Sequence, residues 1–327
     1  MLEGYNATIL AYGQTGTGKT HTMEGFKYSA GDPHRGIVPR SMEEIFKFIQ
    51  MQSNSSTTFM VRASYLQIYN EVISDLLKVE RTSLSIREDK KKGVFVEGLS
   101  EWAVRSPNEI YSLMQRGALS RATATTKMND LSSRSHAVFL IIVEQMSMIT
   151  DQDNDEGVVG QNAHDAPREI KVGKLNLVDL AGCERVRVTG ATGQRLEESK
   201  KINQSLSALG NVISALTDSK SRQHIPFRDS KLTRLLEDSL GGNCKTTMMA
   251  MLSPSSDAFN ESHQTLKFAT RAKKIKNEAR INEDVDQRAL LRKYQTELKK
   301  LKQELAEKNN AMGSTGTYNQ GDIQQLE

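Results

Sequence analysis

Residues Gly13-Gln14-Thr15-Gly16-Thr17-Gly18-Lys19-Thr20 match the pattern G-x-x-x-x-G-K-[ST] without a gap, and the apolar run Ala7-Thr8-Ile9-Leu10-Ala11-Tyr12 leads directly into them. This stretch constrains the fold because the loop works only when a buried strand delivers it and a helix follows it. The glycines let successive backbone N–H groups turn toward one anion. Lys19 adds a charge that can reach the terminal phosphates of a nucleoside triphosphate, and the Thr20 hydroxyl is placed to ligate Mg²⁺. The expected class is therefore α/β, a three-layer fold of the P-loop NTPase type with a central sheet flanked by helices.

A chain of 327 residues is long enough to bury a large core around such a sheet. Its net charge of +4 suits an acidic partner without specifying one. Cys183 and Cys244 have no metal-ligand spacing, and the six histidines form neither H-x₃-H nor H-E-x-x-H. A reduced, cytosolic setting is the simplest reading of that cysteine usage. No apolar stretch is as long as a membrane span, and the first residues lack the pattern of a secretory signal, so no membrane insertion is expected.

Helix and strand alternate along the chain. Met42, Ile45, Phe46 and Ile49 recur at helical spacing behind Pro39, and Phe59 to Ile68 reads as a buried strand. Ser106-Pro107-Asn108-Glu109 is a capping box that opens a helix with Ile110, Leu113 and Met114 on its apolar face. Further strands are expected at Ala137 to Val143, Leu175 to Val178 and Thr247 to Leu252. Between the first two lies a polar, acidic stretch, Met148 to Lys171, read as a solvated loop. Ile202, Leu206, Leu209, Ile213 and Leu216 mark a long amphipathic helix ending near Asp218, and another helix is expected from Asp257 to Asn277 with a basic close. A polar linker follows over 278–289. Leu291, Tyr294, Leu298, Leu301 and Leu305 then step by three and four, which fits either a short coiled coil over 290–310 that joins two chains or a lone amphipathic helix. Residues 311–327 lack periodicity and are expected to be a disordered tail.

Hydrolysis needs parts that sense the terminal phosphate, and two segments offer them. Asn129-Asp130-Leu131-Ser132-Ser133-Arg134-Ser135-His136 supplies hydroxyls suited to Mg²⁺ and an ordered water, although a serine-rich turn would look the same. Leu175 to Asp179 is an apolar strand ending in a carboxylate that can hold Mg²⁺ through water, followed by Gly182 and Glu184. Asp179 alone could equally be a strand-end cap. No N-K-x-D segment specifies guanine, and no arginine-rich or aromatic stacking tract suggests nucleic acid.

Taken together, these segments resemble a known family. The phosphate loop with its continuation His21-Thr22-Met23, the N-x-x-S-S-R-S-H stretch at Asn129 to His136 and Asp179-Leu180-Ala181-Gly182-Cys183-Glu184 are similar to the phosphate loop, switch I and switch II of the kinesin motor domain. Ser64 to Glu71, Asn203 to Gly210 and His224 to Leu236 resemble the family as well, and the likeness runs to about Asn277. The resemblance implies microtubule-stimulated ATP hydrolysis that drives movement, in the cytoplasm on the microtubule cytoskeleton. It further implies direct Mg²⁺ ligation by Thr20 and Ser133, with Asp179 acting through water. Gly13 to Thr20 would cradle the phosphates, His21 would lie against adenine and Gly182 would report the γ-phosphate. Arg134 and Glu184 would pair as the switches close, with Glu184 and Ser133 relaying the proton of the attacking water. The helix from about Lys200 to Leu216 would face the acidic surface of tubulin together with Arg228, Lys231 and Arg234. Local ion pairing with Asp229, Glu237 and Asp238 is the alternative role for those three cations. Residues 278–289 resemble a neck linker and 290–310 the start of a neck coiled coil, an order found in plus-end-directed members.

The sequence departs from the family in one respect. The family's motor domain begins before the phosphate loop, with strands and an Arg-x-Arg-Pro segment that this sequence does not contain. Residues 1–277 are thus expected to form a partial motor domain with an unpaired apolar sheet edge beside the phosphate-loop strand and an adenine pocket open on one side. The competing reading is a catalytically impaired microtubule-binding or regulatory protein.

Overall fold

A computed structural model describes residues 1–25, 31–53, 57–89, 93–123, 133–148, 168–184, 194–218, 224–285 and 302. Most of them belong to one compact unit, Met1–Gln145 with Lys171–Glu283. A second unit, Met146–Ile170 with Asp284–Glu327, falls largely outside the described residues. The acidic stretch at 149–167, the end of the linker, the heptads but for Lys302 and the tail therefore lie outside the description, as do Asn129 to Ser132.

The central sheet is built around β1 (Ala7–Gly13), which pairs in parallel with β8 (Arg168–Asp179) on one side and with β9 (Lys245–Met251) on the other. The order is β3 (Val72–Asp75), β2 (Thr57–Tyr69), β7 (His136–Met148), β8, β1, β9, with β6 (Trp102–Val104) antiparallel to β2 and β10 (Glu283–Val285) paired with β8. Outside the sheet, β4 (Ser85–Asp89) and β5 (Gly93–Glu97) form a separate antiparallel pair. Among the described residues β9 ends the order, so the open edge lies on the neighbour of the phosphate-loop strand, and it carries the half-buried Met248, Met249 and Met251.

Alternation along the strands separates two apolar layers. Ala11, Phe139, Ile141 and Leu177 face helices α2 (Ile37–Gln52) and α3 (Pro107–Thr123) through Met42, Phe46, Ile110 and Met114. Leu10, Tyr12, Val138, Leu140 and Val178 face the other way, toward α4 (Gln194–Thr217), α5 (Lys231–Leu235) and α6 (Phe259–Ala272). Leu206, Leu209 and Ile213 of the long amphipathic helix pack there, and Phe268 of α6 stacks on Tyr12 with ring centroids 4.1 Å apart. The three-layer expectation is met.

Element positions agree with the sequence reading, and their ends differ for physical reasons. Helix α2 starts at Ile37, with Pro39 in the first turn, where the missing N–H costs no helical bond. The box at α3 is shifted by one residue: Ser106 accepts from Glu109 N, but the Glu109 carboxylate reaches back to Arg105 N at 2.9 Å. Strands β7 and β8 run past their apolar cores into polar residues, because ladder bonds between neighbours need no apolar side chain.

Candidate nucleotide site

The phosphate loop joins β1 to α1 (Lys19–Met23). Gly16 and Gly18 hold φ of 81° and 88°, and a Cβ at either would meet nothing within 4 Å, so glycine is required there by backbone conformation and not by space. Lys19 is 6% exposed, and its ammonium donates to the carbonyls of Gly13 and Gln14, each at 2.9 Å. Burial lowers its pKa, an effect opposed by the nearby charges of Asp179 and Glu184. His21 lies on α1, beyond Thr20.

The other two segments converge on this loop. Asp179 ends β8 and is 3% exposed; its Oδ2 accepts from Thr20 Oγ1 at 2.8 Å and from Arg121 at 3.2 Å, while Oδ1 is buried without a hydrogen-bond partner. Beyond it the chain crosses the phosphate loop, with Leu180 N donating to Ala11 O and Cys183 N to Gly13 O. Gly182 N donates to Ser133 O at 2.9 Å, which brings the two switch-like segments together. Glu184 turns back onto the loop, accepting from Thr15 N at 2.8 Å and from Thr15 Oγ1 at 2.5 Å. A Cβ on Gly182 would stand 2.3 Å from Thr15 Oγ1 and 2.4 Å from a Glu184 oxygen, so a side chain here would displace the tips of both residues.

The donor set fits Mg²⁺. That ion prefers hard oxygen ligands and keeps several of its waters. A threonine hydroxyl beside a carboxylate whose second oxygen is buried and unsatisfied is suited to hold it.

Behind Asp179 lies a buried polar network that the sequence did not reveal. The Arg121 guanidinium, at the end of α3, pairs with Asp179 and with Glu24 at 3.8 Å and donates to both the hydroxyl and the carbonyl of Ser135. Tyr65 of β2 donates to Glu24 at 2.7 Å. Read locally, Arg121 is a basic residue in a last helical turn, where the helix dipole is sufficient explanation. Its partners are remote in sequence, and no spacing rule announces them.

The cations read as tubulin contacts sit elsewhere, around the turn Phe227–Asp229 and α5. Arg228 is exposed, and Lys231 opens α5. Arg234 is bound by Glu237 and by Glu88 of β4 and is 16% exposed, so local ion pairing holds for it. Glu71 fixes the start of α5, accepting from Lys231 N at 2.6 Å and Ser230 Oγ at 2.7 Å. Glu71 and Asn70 both hold positive φ in the tight turn that joins β2 to β3.

The family profile described as the kinesin motor domain matches residues 1–275. The chain belongs to the kinesin motor-domain family. "Kinesin-related protein 3" of Dictyostelium discoideum is 46% identical over 319 residues, which cover 96% of this chain and 25% of that protein. The chain thus spans about a quarter of the length of this curated relative. Among solved structures, one described as that of a fast kinesin is 48% identical with a TM-score of 0.74, covering 86% of this chain and 74% of the other. A KIF14 dimer with AMP-PNP in complex with a microtubule is 43% identical with a TM-score of 0.73, covering 86% and 75%.

Proposed function

We propose that this motor domain is a microtubule-stimulated ATPase that drives movement along microtubules in the cytoplasm. The observation that carries the reading is the convergence on one phosphate loop of Ser133, Gly182 and Glu184, through the Gly182–Ser133 and Glu184–Thr15 bonds. In this reading the amides of Gly13 to Thr20 and the Lys19 ammonium bind the phosphates of ATP, and His21 lies against its adenine. Thr20 and Ser133 directly, and Asp179 through water, would hold Mg²⁺, which would supply charge neutralisation at the bound phosphates. The Gly182 N–H, released from Ser133 O, registers the terminal phosphate. Glu184, released from Thr15 to Arg134, accepts the proton of the attacking water with Ser133 in the relay.

The same reading assigns Arg228, Lys231 and Arg234, beside α4, to the tubulin-facing surface. Arg228 and Lys231 carry most of the attraction, since Arg234 already serves Glu88 and Glu237. A polar cleft of about 340 Å³ lined by Gln204, Ser207, Asn211 and Asp229 lies between α4 and the Arg228 turn. Residues 278–289 act as a neck linker leading to a neck over 290–310 that pairs two chains, and plus-end direction follows from that order. A second reading, a microtubule-binding protein that holds nucleotide without turnover, draws on Thr15 engaging both Glu184 oxygens. Steady-state ATPase with and without polymerised tubulin separates the two. Turnover that rises with microtubules supports the motor, and equal rates reject it.

A further inference from the structure

His136 is 2% exposed, and both of its ring nitrogens are committed to other elements. Nδ1 accepts from Ala181 N at 3.1 Å, and Nε2 lies 2.8 Å from Ser205 Oγ on α4. A nitrogen that accepts a backbone N–H carries no proton, so the ring proton resides on Nε2 and Ser205 Oγ accepts it. Burial, reinforced by the charges of Arg121 and Lys19, pushes the imidazole pKa down to about 3, which keeps this neutral form in place. The ring is therefore no acid or base for the reaction; it is a rigid spacer between a loop and a helix.

Its position gives the spacer a consequence. Ala181 directly precedes Gly182, whose N–H is tied to Ser133 O. Ser205 is 3% exposed, in the stretch of α4 where Leu206 and Leu209 enter the core. A displacement of Gly182 that carried the Ala181 amide with it would act on the ring and, through the ring, on a buried oxygen of α4. Water cannot replace either bond at this burial without a cavity to hold it.

We propose that His136 is a positioning residue that couples the Gly182 loop to helix α4 through Ala181 N and Ser205 Oγ. The proposal rests on the motor reading for the identity of what α4 contacts, but the coupling itself does not need a filament.

The test uses the whole chain as wild type, Ser205→Ala, Ser205→Thr and His136→Asn. The Asn side-chain oxygen can take the place of Nδ1 and keep the Ala181 bond while losing Ser205. In steady-state ATPase, Ser205→Ala and His136→Asn keep basal kcat and the KM for ATP within about twofold of wild type. Their stimulation by microtubules falls about fivefold or more, as expected for one lost buried hydrogen bond. Ser205→Thr, which retains the hydroxyl, restores stimulation. The double variant is no worse than either single one, because both remove the same bond. Full stimulation in Ser205→Ala overturns the proposal, and so does a parallel fall of basal and stimulated rates. Hydrogen exchange of α4 peptides with and without AMP-PNP tests the coupling without microtubules. Wild type changes its α4 exchange on adding AMP-PNP and Ser205→Ala does not; the same change in both refutes the coupling. If wild type shows no microtubule stimulation, the motor reading fails while the exchange comparison still decides for or against the coupling.

Discussion

Replacing Arg121 by methionine probes the network behind the nucleotide site. The side chain is 6% exposed and faces two buried carboxylates, Asp179 and Glu24, at 3.2 and 3.8 Å. Methionine fills much of the volume but returns none of the charge. Glu24 retains its bond from Tyr65, and Asp179 its bond from Thr20, so the loss falls short of orphaning either group. Breaking a buried pair by removing one partner costs about 3–5 kcal/mol, because the remaining charge stays desolvated. For a domain of this size, about 2–4 °C of Tm is lost per kcal/mol, and taking the lower part of that range gives a drop of roughly 6–12 °C. Differential scanning calorimetry at neutral pH reads it. Adding Glu24→Gln to Arg121→Met removes one of the uncompensated charges and recovers part of the loss. A Tm drop below about 2 °C would place the interaction with surface ion pairs and refute the argument from burial.

Four further outcomes follow from the same geometry. In the proposed reading, where Lys19 and the loop amides hold the phosphates, Glu184→Ala abolishes most turnover and leaves ATP affinity within about threefold of wild type; an equal loss of binding in a fluorescent-nucleotide titration would make Glu184 a structural residue. Gly182→Ala displaces the Thr15 and Glu184 side-chain tips and lowers ATPase at least about tenfold while the melt stays cooperative, and unchanged turnover would show that those two side chains yield without cost to turnover. His136 has a native pKa of about 3 against an ordinary value near 6.5, so its contribution to stability is complete above pH 6.5 and is lost as pH falls toward 3. Urea melts of wild type against His136→Asn should show that difference as about 1.4 kcal/mol per pH unit below 6.5, and parallel curves would rule it out. Arg228→Ala with Lys231→Ala weakens cosedimentation with microtubules and flattens its salt dependence more than Arg234→Ala does; the reverse order would return Arg234 to the filament.

The nucleotide site was legible where its chemistry is local in sequence. The phosphate loop announces its own strand, turn and helix, and Asp179 follows an apolar run that can only be buried. What the sequence concealed are partnerships across long separations. Arg121 meets Glu24 and Asp179 through the packing of α3 against the sheet, and Glu184 meets Thr15 only because the chain after β8 folds back over the loop. His136 was visible as part of a motif, yet its partner Ser205 sits on a helix whose periodicity reports only the apolar stripe. The β4–β5 pair was missed because Ser85-Ile86-Arg87-Glu88-Asp89 is largely charged and exposed, with Ile86 and its partner Val96 packed on the core. Glu88 on that pair is the reason Arg234 is less available than its neighbours to an outside partner.

The central claim is that the state of the phosphate loop is felt at the microtubule-facing surface. Cosedimentation of the chain with microtubules in saturating AMP-PNP and in saturating ADP measures that coupling directly. The account predicts affinities that differ by about tenfold or more, a coupling of ordinary allosteric size, with the triphosphate analogue binding tighter. Equal affinities in the two nucleotides would contradict it.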